Sequence, residues 1–129
     1  MYEPIRSKSV HRMAVDQADF PHRSREEELD IQLAGHLAAL LAVTDELGLD
    51  AAAERIATEV ARLRGAPPAR HAGLTHAAPA ALHRRAHELA GRALVVAASR
   101  ADTAAAILAA ERMDAHAAAL ADLDLVGAH

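Results

Sequence analysis

Two histidines four residues apart, His83 and His87, stand in the stretch LHRRAHELAGR that runs from Leu82 to Arg92. On a helix this spacing puts both imidazoles on one face about a turn apart, near enough to share a metal ion. Two ligands do not make a site, because zinc takes four, supplied by protein or water. Further donors are spread along the chain. His36 falls in the middle of a leucine stripe, His116 lies beside Met113 and Leu120, and Glu59 borders another apolar face. Gathered in one bundle, His36, Glu59, His83, His87 and His116 would give a nitrogen and oxygen donor set suited to zinc or non-haem iron. The competing reading is the polar shoulder of a helix. Counted from Leu82, the two imidazoles fall about 100° and 140° round the axis, on the flank of the apolar face.

His36 raises a sharper question, since an imidazole in a leucine seam must satisfy two ring nitrogens or forfeit on the order of 1–3 kcal/mol for each group left unpaired. The sequence therefore predicts a buried histidine there, bonded to a carbonyl, a water or a carboxylate, with ligation or proton transfer as the alternative. Of the nine histidines, His11, His22 and His129 lie in segments expected to be solvated, and His71 and His76 flank a loop. A second kind of chemistry is anion binding by Arg70, Arg84 and Arg85, with the loop over residues 65–77 as a lid. Other constellations are missing. There is no H-E-x-x-H, no E-x-x-H pair of the di-iron bundles, no G-x-S-x-G elbow and no phosphate-cradling glycine loop.

The elements that must position these groups read as helices. Residues 1–23 show no helical period, contain Pro4 and Pro21, and are expected to form an extended arm carrying Val10, Met13 and Val15. Ser24 before REEEL is a capping-box start. Leu29, Leu33, His36, Leu40, Val43 and Leu47 then repeat at spacings of four and three, widened by Ile31, Leu37 and Leu41, until Gly48. Asp50 is expected to cap a second helix with the face Ala53, Ile56, Val60 and Leu63, ending at Gly65 before Pro67 and Pro68. A third helix, capped by Thr75 or starting at Pro79, has the face Leu82, Ala86, Leu89, Ala93 and Val96. Asp102 caps a fourth, through about Leu123, with Ile107, Leu108, Met113 and Leu120 as its apolar residues. The expected fold is all-α, a small up-and-down bundle of about four helices over residues 24–126, with short connections, one longer crossover and the N-terminal arm.

Composition narrows what such a bundle does. The 129 residues include 35 alanines and no cysteine, and Tyr2 and Phe20 are the only aromatics, so the core is expected to be mainly leucine and alanine. A core this thin in area must bring helices close together or share a face with another copy. Net charge runs +2 over residues 1–25, −7 over 26–63, +5 over 64–100 and −4 over 101–129. Neighbouring helices of opposite sign attract each other, and an uncompensated basic face for nucleic acid is not expected. No signal peptide and no run of about 20 apolar residues is present, so a cytoplasmic protein without a membrane partner is expected. The leading expectation is an oligomeric interaction or scaffold module, a dimer before other states, without catalytic chemistry. The alternatives are the histidine/carboxylate metal site and the carrier or sensor of a small anion.

Overall fold

Periodicity becomes packing in four helices: α1 (Tyr2–Glu46), α2 (Asp50–Arg64), α3 (Pro79–Ser99) and α4 (Thr103–Gly127). This computed structural model describes residues 2–71, 73 and 76–127, with side chains from Ser24 onward. The architecture is the all-α four-helix bundle that the sequence predicts, and the described residues contain no strand. α1 takes in residues 2–23, the stretch expected as an arm, and among the described side chains its contribution to the core begins at Leu29. The side chains of Val10, Met13 and Val15 lie outside the described residues. Ser24 sits inside α1 and does not cap it. One serine among good helix formers costs only a few tenths of a kcal/mol, too little to compel a start.

α1 packs against both α2 and α3, α3 packs most extensively against α4, and α2 only brushes α4. Order round the bundle is therefore α1, α2, α4, α3, and α1 and α4 do not touch among the described residues. Ion pairs fix the directions. Arg62 near the end of α2 reaches Asp102 at the start of α4, and Arg100 after α3 reaches Asp30 in α1. At the opposite end Arg70 joins Asp45 of α1 to Glu54 of α2. Every packed pair is thus antiparallel, and the connection from α2 to α3 must travel the length of the bundle. That journey is what the long segment with Pro67 and Pro68 is for.

A clasp holds each end. Asp45, 7% exposed, accepts hydrogen bonds from Arg70 Nε at 3.0 Å and Nη2 at 2.8 Å, and from the His71 amide at 3.0 Å. Bidentate pairing of this kind fixes geometry as well as charge, and it pins the crossover to the end of α1. The Asp45 carboxyl is held below its usual range by that arginine bond, against the opposing effect of burial. At the far end Asp102 Oδ1 accepts from the Ala105 amide at 3.2 Å, the expected cap of α4, while its other oxygen takes Arg62.

Helix ends follow local stereochemistry. Gly48 and Gly65 stop α1 and α2 in left-handed backbone, at φ 72° and 75°, a region open to glycine. After α3 the same role falls to Ala101 at φ 58°. Its amide bonds Ala98 O and that of Asp102 bonds Ala97 O, closing the turn in the manner of a Schellman motif. Asp50 does not cap α2. Leu49 occupies the cap position without a side-chain bond, and Asp50 lies in the first turn, where its charge favours the helix dipole. α3 starts at Pro79, a residue pre-set for a first turn, and Thr75 lies outside the described residues. α4 continues past Leu123 to Gly127.

The core is the leucine–alanine assembly its composition implies. Leu33, Leu37, Leu40 and Leu41 of α1 meet Ala53, Ile56 and Val60 of α2, and Leu82, Ala86, Leu89, Ala93 and Val96 of α3. Ala90, Ala93, Ala97, Ala105 and Ala109 are fully buried, so α3 and α4 approach on methyl groups. Some apolar positions expected in the core are not in it. Ile107 is 55% exposed and Ile31 71%. No helix among the described residues is long and apolar enough to cross a membrane.

Candidate functional site

His36 is half-buried on the flank of α1, not sealed in the core. Because α1 must face two helices, its buried wedge centres on Leu33, Leu37, Leu40, Leu41 and Thr44, and residue 36 lies about 100° round from Leu37. The polar group in that wedge is Thr44, whose hydroxyl donates to Leu40 O at 2.7 Å. The fully buried imidazole belongs instead to His116, on the side of α4 that meets α3.

His116 is the centre of a short polar chain. Its Nδ1 lies 2.9 Å from Nδ1 of His83, and its Nε2 lies 3.3 Å from Nη2 of Arg112, one turn earlier on α4. A guanidinium can only donate, so His116 Nε2 must accept and its proton must sit on Nδ1. That proton is then donated to His83 Nδ1, which leaves His83 protonated on Nε2. One residue that cannot accept thereby sets both tautomers.

Electrostatics agree with neutral rings. The His116 pKa is pushed down to about 4, first by burial, then by the Arg112 charge and by His83 and His87. Burial and Arg112 lower that of His83 as well. Arg112 has its own strain: its Nε–H is buried without a hydrogen-bond partner among the described residues. Burial, with Arg55 nearby, holds its pKa below the usual arginine range. The residues facing His116 offer it no carboxylate; Glu111 of α4 is bound to Arg55 of α2 at 2.6 Å.

Of the residues singled out for metal, the structure brings together His83 and His116, with His87 close enough for its charge to bear on His116. It does not bring in the others. Glu59 takes the Arg62 Nε–H at 3.0 Å, and His36 is on a helix that does not touch α4. Among the described residues no group of three or more histidine, aspartate or glutamate side chains is placed to hold a metal ion. A dication shared by His83 and His87 would also need a lone pair on the former, and the hydrogen-bonded chain to Arg112 leaves a proton on its outer nitrogen. This arrangement places two imidazoles of lowered pKa between α3 and α4.

The anion contacts separate likewise. Arg70 is consumed by Asp45 and Glu54, while Arg84 and Arg85 stand exposed on α3 with no ion pair among the described residues. The crossover lies along α2 over a shallow depression of about 250 Å³ lined by Glu54, Thr58, Pro67 and Arg70. A larger polar hollow, about 390 Å³, lies where Arg62 and Arg100 meet Asp30 and Asp102. Its two arginines are already paired with those acids. Arg112 was missed by sequence reasoning, although an arginine four residues before a histidine in an alanine-rich helix carried the signal.

No family model, curated protein or solved structure matches the chain.

Proposed function

We propose that the protein is a helical interaction module that works as a homo-oligomer and performs no catalysis of its own. The observation that carries this reading is α4. A surface helix ordinarily shows one apolar stripe, and a helix apolar on all sides is normally covered on all sides. α4 has apolar residues round its whole circumference, yet among the described residues only α3 packs closely on it and α1 does not reach it. Four of the six large apolar side chains left exposed, Ile107, Leu123, Leu125 and Val126, belong to α4, and a fifth, Val95, is on the neighbouring α3. Large apolar side chains left exposed in this number on one helix support an interface.

Charge supports a protein partner over nucleic acid. Arg70, Arg92 and Arg100, three of the six arginines of the basic block, are each engaged by a carboxylate of the same chain, as are Arg55 and Arg62 of the acidic block. The test is multi-angle light scattering of the untagged protein at tens of micromolar. The expected mass is a multiple of the 13.6 kDa chain, twice that value first. A mass of 13.6 kDa throughout would refute the reading.

A further inference from the structure

We propose that the covering of α4 is a second copy of this chain, packed antiparallel along the outer groove between α3 and α4 about a two-fold axis level with His116. The inference rests on the interaction-module reading and names its surface and partner. Ile107 and Leu125 are eighteen residues apart, which is five whole turns, so they stand on one line of the helix about 27 Å apart. Both are exposed, by 55% and 65%. The exposed face between them carries the small side chains of Ala118 and Ala121, with Asp114 near its middle and Glu111, held by Arg55, on one flank. Beside Ile107 the groove is a hollow of about 380 Å³ walled by Ala98, Ala101, Ala106 and Ala110, with almost no polar surface. Each chain therefore offers an apolar hollow at one end of the line and an apolar knob at the other. A two-fold axis midway between them fits knob to hollow twice, as an isologous interface requires.

The register of α3 adds an independent match. His83 lies beside His116, and Gly91 lies against Met113, which puts Val95 level with Ala106 and Arg84 level with about Ala117. Opposite Arg84 the axis places the partner's Asp114. Neither Arg84 nor Asp114 has an ion pair among the described residues of its own chain, and both are exposed. Glu88, on the same face of α3, is already matched by Arg92. Gly91 and Ala98 on that face leave room for a third helix to come close.

The experiment is sedimentation equilibrium on the full chain between 1 and 100 µM, with helix content checked by circular dichroism. Ile107→Asp and Leu125→Asp should each weaken the dimer by at least about thirtyfold, since each buries a charge in an apolar contact. Arg84→Glu and Asp114→Arg should each weaken it about tenfold, and the double variant should return to within about threefold of the wild type. All four positions are exposed in the single chain, so the fold should survive each change. A wild-type dimer indifferent to every one of these variants would overturn this surface and leave the module reading in place. A wild-type monomer across the whole range would overturn both.

Discussion

Acid should unfold this protein earlier than its carboxylates alone would dictate, and His116 is the reason. An imidazole that titrates near 6.5 in an unfolded chain and near 4 in the fold leaves the folded state with fewer bound protons between those values. Stability is then complete above the unfolded value and drains away as pH falls from about 6.5 towards 4. At 1.36 kcal/mol per unit of pKa, the full loss is about 3 kcal/mol, of which about 2 kcal/mol is gone by pH 4.5. His83, lowered in the same direction, adds to it. For a domain of this size that is a fall in Tm of about 8 °C between pH 7 and 4.5 from this group alone. The assay is thermal or urea unfolding followed at 222 nm at fixed protein concentration, because association would shift the midpoint by mass action. His116→Leu keeps the buried volume and removes the titrating group, so its curve should be flatter by about 2 kcal/mol over this range. Parallel curves for wild type and variant would refute the reasoning, whatever the absolute stabilities.

Asp45→Asn should cost about 1–3 kcal/mol by breaking the charged clasp on Arg70 and His71, read as a lower urea midpoint. It should also reduce the stability lost below about pH 4, where the depressed Asp45 pKa makes the wild type sensitive. Ala101→Gly should raise Tm by a few degrees, because left-handed backbone costs an L-residue about 1–2 kcal/mol and glycine nothing sterically; a fall would contradict the turn geometry. Leu37→Ala, at a fully buried site between α1 and its two partners, should cost about 2–5 kcal/mol. One equivalent of zinc should leave Tm of the untagged protein unmoved within about 1 °C. A rise of several degrees would instead favour the metal-binding reading of His83, His87 and His116.

Legibility in the sequence followed the number of partners each helix has. α2 and α3 bury the faces their periods announce, Ala53–Ile56–Val60 and Leu82–Ala86–Leu89–Ala93–Val96, because each presents one clean stripe. α1 was harder. Its apolar residues spread over more than one stripe, since it serves both α2 and α3, and only packing decides that Leu37 lies at the centre and His36 at the side. α4 could not be oriented at all. With alanine on every side, the period holds no information about which face is inward, so Ile107 looked as suitable for the core as Leu108. His116 was visible as a donor, but the tautomeric chain to His83 depends on Arg112, which only the helix register brings into place. Likewise Pro67 and Pro68 announced a long connection without announcing that Arg70 would end at Asp45.

The self-association of α4 can be measured directly, since the chain has no native cysteine and a single one at Ala104 would carry one spin label per copy. For two α4 helices antiparallel about the level of His116, the labels should be separated by about 36 Å along the helix axis, from twelve residues on either side at 1.5 Å each. Pulsed dipolar spectroscopy showing a single distance population at or somewhat beyond that length is the expected result. A population near 15–20 Å, as for helices packed in parallel, or no dipolar coupling at concentrations where the mass is that of a dimer, would contradict it.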